Sequence, residues 1–468
     1  MIAAVVLSMV ICTSLSANAA TNQTKYDTLN EYLQTCVKNA HIPALSVTIV
    51  DKDNVLFSGC YGECDNCDTP FVLGSVSKSF TAVCVMQLVE QGKIDLGEKI
   101  SAYLPNASDG DKITVSQLLN HTGGLGEHQT LENYHIINKQ RAHYYANVNY
   151  SLLGKIIEKV SGLSYEEYVT KNVIEPLDLS HTAATQTESI NNGLIDGYTD
   201  YWGFHLKRSH KYPTSENAWI TAPAGYLSSS TNDLGRYLQM YLNDGENIIS
   251  KQSIDKMFYG DTVYVEDDVP FWYGYGYGWA TVKELLSEPV LRHSGLVETG
   301  TSCVFILPES GIGVAVTANV NDYFVTNEMM DSLGWGVILM LLGESPTEIA
   351  DNAFLLNHLR IDLIMLAVFA VAVLPLFFLP RYRKSLKKDK NVRKVISIVI
   401  YHFIFPIFIL LIVPAFFQTP LWVARAFVPD VFITVVFSAA LLFVGGIIKT
   451  IMLSPWTKPP INSAEYEQ

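Results

Sequence analysis

The chain has 468 residues, 49 % of them hydrophobic, and its 46 acidic side chains against 32 basic ones give a formal charge of −14. That length allows one large core or two ordinary ones, and so acidic a chain is a poor nucleic-acid binder. The apolar residues are unevenly spread, with three long runs that hold almost no charge crowded into the last quarter, so a membrane part is expected beside an aqueous one.

Residues 1–19 form an apolar run ending in Ala17-Asn18-Ala19, the small-x-small pattern at which a secretory signal is cut. No Lys or Arg precedes it, so an uncleaved anchor is the competing reading. Residues 20–345 then read as one domain. It opens with an amphipathic helix, YDTLNEYLQTCVKNA, and two strands, ALSVTIVD and NVLFSGCYG. Three more strands, EPVLRHSG, TSCVFILP and GIGVAVTAN, come near its end, before a closing helix, NEMMDSLGWGVILMLLG. Between the two blocks the pattern is mainly helical, as in TNDLGRYLQMYLNDG. The expectation is an α+β fold (an α/β-α sandwich): a five-stranded antiparallel sheet built from both ends of the domain, flanked by helices, with an all-helical subdomain inserted.

Residues 346–360 read as a linker. Residues 361–379, 395–417 and 431–448 are each about as long as a bilayer-crossing helix, and 455–468 form a tail. The loop RYRKSLKKDKNVRK between the first two carries eight basic residues and Asp389 alone among acids, which assigns it and the tail to the cytoplasm. The domain at 20–345 is then extracytoplasmic, on a multi-pass protein of a bacterial cell membrane. Within the spans His402 reads as an interior hydrogen-bonded group and Lys449 as a snorkelling residue. From residue 361 on, 11 basic and 5 acidic side chains give +6, which leaves −20 before it, a field that serves solubility or favours cationic substrates.

Seven cysteines are present, and Cys60, Cys64 and Cys67 crowd into CYGECDNC. Outside the cytoplasm a disulfide within this trio is favoured over zinc, for which the local sequence offers no fourth ligand. Cys84 reads as a packing residue.

Chemistry concentrates at three places. In GSVSKSF, Ser75 stands three positions before Lys78. The S-x-x-K pattern also occurs at Ser253/Lys256 and Ser385/Lys388, but only the first match opens a long apolar-rich run. If Ser75 opens a helix, Lys78 lies one turn on along the same face, able to activate an alcohol that is otherwise a weak nucleophile. Next, Tyr145-Ala146-Asn147 precedes a helix, so Tyr145 is placed to act as a base, its ionisation eased by an ammonium, and Asn147 to hold an amide carbonyl. Tyr241-Leu242-Asn243 shows how cheap that spacing is. Third, His293-Ser294-Gly295 ends a strand-like run, where the Leu296 N–H can join that of Ser75 as an oxyanion hole; an ordinary strand end with a turn is the alternative. The aromatic stretch PFWYGYGYGWA, from Phe271 to Trp279, reads equally as a pocket wall or as a loop with an edge strand.

Taken in order, SVSK, YAN and HSG resemble the motifs of the serine β-lactamase-like family, which includes class C β-lactamases, penicillin-binding proteins and D,D-peptidases. Phrases such as ITVSQLLNHTGGL and TAPAGYLSSSTNDLGRYL extend the resemblance over nearly all of residues 25–340. It implies that Ser75 is acylated, that Lys78 and Tyr145 manage its proton, that Asn147 orients the scissile amide, and that His293, Ser294 and Gly295 line the opposite wall. No cofactor or metal is implied. Class C β-lactamases carry lysine where this chain has His293, so antibiotic hydrolysis is not the expected main activity. His121 in NHTGG also fits a family motif and reads as structural.

With three C-terminal spans, the architecture resembles prodrug-activating membrane peptidases of the colibactin type, which remove an N-acyl-D-amino acid, commonly asparagine, from a nonribosomal peptide precursor. That implies a small peptide or acyl-peptide substrate and an amine-bearing product. The same residues equally serve a D,D-carboxypeptidase of cell-wall metabolism, an esterase or a penicillin-type sensor, and the oligomeric state stays open.

Overall fold

The computed structural model describes residues 24–215, 217–264, 272–388, 392–416 and 419–453. The expected signal peptide and tail lie outside the described residues. The chain forms two compact units, one running to Thr199 and then from His205 to Phe354, the other comprising Asp200–Phe204 and the residues from Leu355 on.

The first unit is built on one antiparallel sheet. Its strands in chain order are β1 (Ala44–Val50), β2 (Val55–Gly62), β3 (Val263–Tyr264), β4 (Trp272–Tyr275), β5 (Ala280–Lys283), β6 (Val290–Val297), β7 (Gly300–Leu307) and β8 (Ile312–Ala318). In space they run β2-β1-β8-β7-β6-β5-β4-β3. The first strand thus zips onto the last, from Leu45 opposite Ala318 to Val50 opposite Gly313. Five strands were expected and eight are present. The extra three come from the aromatic stretch and its flanks, where short segments interrupted by glycine lack the alternation of branched apolar residues that marks a strand.

Helices cover both faces. On one side helix α1 (residues 24–39) lies against a helix at Thr326–Leu341, so closely that a Cβ on Gly336 would fall 2.0 Å from the Tyr32 hydroxyl. On the other, the helix Thr231–Leu242 lies across β1, where Ser46 and Thr48 meet the Thr231 hydroxyl at 2.6 and 3.0 Å. Those hydroxyls explain why β1 tolerates polar residues while buried at every position. Helix α2 (Ser77–Glu90) is buried from Ser77 to Leu88. Its Phe80 ring stacks on Tyr237 at 3.9 Å, and helix α3 (Asn147–Ser161) belongs to the inserted helical layer beside it.

Part of the segment expected as a linker is tied down. Asn39 donates to the Ile349 carbonyl at 2.7 Å, and the Phe354 ring stacks on His41 at 4.4 Å. The expected disulfide within the cysteine trio is not formed: Cys60, Cys64 and Cys67 are free thiols, close together but with the Cys60 thiol directed to the Cys64 carbonyl at 3.3 Å.

Among the described residues three helices, lying almost wholly in the second unit, are long and apolar enough to cross a membrane: Ala353–Phe377, Val392–Ile412 and Pro429–Leu453. His402 is buried and hydrogen-bonded through Nδ1 to the Leu442 carbonyl at 2.8 Å. Lys449 does not snorkel; its Nζ donates to His402 Nε2 at 2.8 Å, beside Gly445, where a Cβ would fall 3.2 Å from the His402 ring.

Candidate active site

Ser75 sits in a 3-10 turn, Gly74–Val76, that feeds directly into α2. Gly74 makes the turn possible, because its φ is +53° and a Cβ there would lie 2.4 Å from the Leu296 nitrogen. Ser77 and Ser79 pin the turn from below, Ser77 accepting from the Leu227 N–H at 3.1 Å and Ser79 donating to the Val76 carbonyl at 2.8 Å.

Lys78, one helical turn on, is 0 % exposed. Its Nζ lies 3.0 Å from Ser75 Oγ, 2.8 Å from Asn147 Oδ1 and 2.6 Å from the Ala224 carbonyl. Burial holds its pKa well below the ordinary lysine value. The contact set suits a neutral amine, whose two hydrogens go to the two oxygens that can only accept, while its lone pair receives the Ser75 hydroxyl proton.

Tyr145 hydrogen-bonds Ser75, and the Lys78 nitrogen sits 4.9 Å from the centre of its ring. Its phenol is pushed up by burial, more than the Ser75 contact pulls it down. Burial thus works against the charged form of both groups, and against the expectation that a lysine charge eases the ionisation of Tyr145. Asn147 is the first residue of α3, its carbonyl oxygen taken by Lys78.

The position of the YAN turn is set by His121, whose Nδ1 accepts from the Ala146 N–H at 3.2 Å and from the Asn149 amide at 2.9 Å. The backbone of His121 is left-handed at φ +59° and its ring lies 4.3 Å from that of Tyr145. It is structural, as expected, but it supports the site directly.

On the facing side, His293-Ser294-Gly295 lies within β6 rather than at its end. Pairing with β5 stops at Arg292, which leaves the edge of residues 293–297 open on that side. Gly295 brings this edge against the nucleophile turn, since a Cβ there would fall 1.9 Å from the Leu73 carbonyl. The Leu296 nitrogen lies beside Gly74, the residue before Ser75. Ser294 departs from expectation: strand alternation turns its hydroxyl away to Arg292, at 2.6 Å, and Arg292 also pairs with Asp331. His293 is 5 % exposed, with Nδ1 2.7 Å from the Ser294 carbonyl and Nε2 2.9 Å from the Tyr275 hydroxyl. Burial, aided by Lys78, holds its pKa down to about 3.

The aromatic stretch divides its labour. Tyr275 faces the site, whereas Tyr277 donates to Asp261 and Trp279 to the Tyr241 hydroxyl within the packed interior; Phe271 lies outside the described residues. The competing motif matches have structural work. Ser253 donates to Glu90, Ser385 caps back onto the Tyr382 carbonyl at 2.7 Å, and Asn243 donates to the Lys52 carbonyl at 2.6 Å. One contact was missed in the sequence, the Ala224 carbonyl, because a backbone carbonyl leaves no residue-type signal. Tyr275 lay in the stretch read equally as a pocket wall, but as one of several tyrosines it could not be singled out.

The Beta-lactamase family model matches residues 29–332, and the chain belongs to that family of serine hydrolases. It is similar to Protein flp of Staphylococcus aureus, 27 % identical over 337 residues that cover 65 % of this chain and 64 % of that protein, so it spans under two thirds of that relative. Teichoic acid D-alanine hydrolase of the same species is 29 % identical over 195 residues, covering 37 % of this chain and 48 % of that one. Among solved structures, the octameric penicillin-binding protein homologue from Pyrococcus abyssi aligns with a TM-score of 0.61 at 28 % identity, over 69 % of this chain and 78 % of that one.

Proposed function

We propose that this chain is a membrane-anchored hydrolase that cleaves an amide after a D-amino acid through an acyl-enzyme at Ser75. The observation that carries the reading is the Lys78 nitrogen, buried and held by two acceptors, with its third contact on Ser75 Oγ at 3.0 Å. In the first step Lys78 Nζ takes the Ser75 proton while Oγ attacks the substrate carbonyl carbon. The oxygen of that carbonyl becomes an anion held by the Ser75 and Leu296 N–H groups. The tetrahedral adduct collapses, the carbon–nitrogen bond breaks, and Tyr145 passes a proton to the leaving amine, its own proton being replaced from Lys78. Water then attacks the ester, returning acid product and free Ser75.

The three apolar helices and the resemblance to prodrug-activating peptidases support an extracytoplasmic domain that removes an N-acyl-D-asparaginyl group from a nonribosomal peptide precursor. Similarity to a teichoic acid D-alanine hydrolase supports a second reading, hydrolysis of a D-alanyl ester. Purified full-length protein in detergent is expected to release amine from an N-acyl-D-asparaginyl amide, and both Ser75→Ala and Lys78→Met to lose at least about 10³-fold in kcat/KM. Wild-type turnover in Ser75→Ala would falsify the acyl-enzyme. A D-alanyl ester turned over far faster than the amide replaces the first reading with the second.

A further inference from the structure

The strands Gly197–Tyr201 and Phe204–Arg208 pair as a hairpin whose tip, Asp200–Phe204, belongs to the second unit. The two residues at the turn are Trp202 and Gly203, with φ of +53° and +78°. Two left-handed residues in succession give the tight turn that matches strand twist, and asparagine followed by glycine takes it with least strain. A bulky tryptophan in the first place is strained, so folding the turn is not what calls for it. The backbone is held all the same. The Trp202 N–H donates to Asp430 Oδ2 at 3.1 Å and the Gly203 N–H to Asp200 Oδ1 at 2.8 Å, while a Cβ on Gly203 would fall 3.6 Å from the His358 ring. Asp430 and His358 lie near the starts of two of the apolar helices, Pro429–Leu453 and Ala353–Phe377, which places the tip at the end of the bundle where both begin. What the tip leaves uncovered is apolar and aromatic: Trp202 is 41 % exposed and Phe204 73 %.

We infer that this tip is a lipid-contact element, in which Trp202 and Phe204 seat in the headgroup boundary of the bilayer beside the first and third apolar helices. The inference goes beyond the acyl-enzyme reading and shares with it only the assignment of those helices to a membrane. Lipid is the occupant that the surroundings favour. Leu355, Leu359, Leu363 and Leu366 are exposed at helical spacing along the first apolar helix, a stripe that begins at the level of the tip and runs on toward the middle of the span. Whatever covers that stripe reaches the tip as well. At the starts of these helices the bilayer gives way to water, and this is the depth at which an indole, with its apolar body and single N–H, is the favoured side chain. The strain of Trp202 is then offset by burial of its ring, whereas in water it gains nothing in return.

The test uses full-length protein reconstituted in phospholipid vesicles, with p-benzoylphenylalanine in place of Phe204 or, in a second preparation, of Leu366, and reads ultraviolet crosslinks by mass spectrometry. Position 204 is expected to gain the mass of one phospholipid in a yield within about twofold of that at 366. A second measurement uses Trp202→Asn, which gives the turn its favoured residue and so keeps the fold. The emission lost in this variant belongs to Trp202, and brominated lipid is expected to quench it about twofold or more while iodide in the water leaves it nearly unchanged. A protein–protein adduct at 204 in place of a lipid adduct overturns the inference in favour of a second copy, and emission quenched by iodide but not by brominated lipid overturns it in favour of water. Lipid adducts at 366 with none at 204 sink it alone. Failure at both positions takes the membrane assignment down with it, and leaves turnover at Ser75 to be judged separately.

Discussion

Burial works against the usual charge of two basic side chains in this site. Lys78 and His293 are both buried, and in both cases desolvation is the largest influence on the pKa. For His293 the consequence for stability has a definite sign. The folded value of about 3 lies below the ordinary 6.5, so between those pH values the unfolded chain binds a proton that the folded chain does not. Stability from this group is present above pH 6.5 and is lost as pH falls toward 3, at up to about 1.4 kcal/mol per unit. In His293→Gln that component is gone, and thermal midpoints measured from pH 7 down to 4 are expected to fall less steeply than in wild type; parallel curves would show that His293 titrates normally. Sequence spacing pointed to Ser75, Lys78, Tyr145, Asn147 and His293, which lie together in the structure, because each belongs to a short local pattern. It could not give their surroundings, since the Ala224 carbonyl and Tyr275 reach them from distant parts of the chain.

At the level of elements, catalytic geometry rests on how closely β6 approaches the turn that carries Ser75. Gly295 is the reason the approach is possible, with the Leu73 carbonyl where a side chain would begin. Gly295→Ala is expected to lever the strand off the turn and to cut kcat/KM by about 10²-fold, the scale on which displacements near 1 Å are felt. Circular dichroism should stay native, and an alanine variant of full activity would mean that the edge is not the oxyanion wall. Five of the sheet strands were legible because runs such as SVTIV and VFIL are long and branched. Of the strands between 263 and 283 only one edge strand was read, as an alternative, because glycine punctuates them and their burial, seen at Tyr275 and Ala280, is decided by packing rather than by local pattern.

For the whole molecule, the domain boundary is the point at which sequence and structure differ most usefully. Asn39 and His41 hold residues 349 and 354, beyond the expected end at 345. A chain ended after residue 356 is expected to fold and to keep turnover, whereas one ended after 345 gives up the burial of Phe354, worth about 1.5–3 kcal/mol, and melts several degrees lower. Equal melting temperatures would assign 346–354 to the linker after all. Polar and apolar runs were enough to set the spans to within about ten residues, but a buried phenylalanine beside a histidine carries no boundary signal in one dimension.

The pairing of the first strand with the last also constrains how the protein is made. Since Leu45 waits for Ala318, a growing chain that has already emitted its nucleophile and its lysine still has an open sheet and no wall at Leu296. If Ser75 acts as proposed, synthesis delivers an inert precursor, whose sheet closes only once the strand ending at Ala318 has emerged.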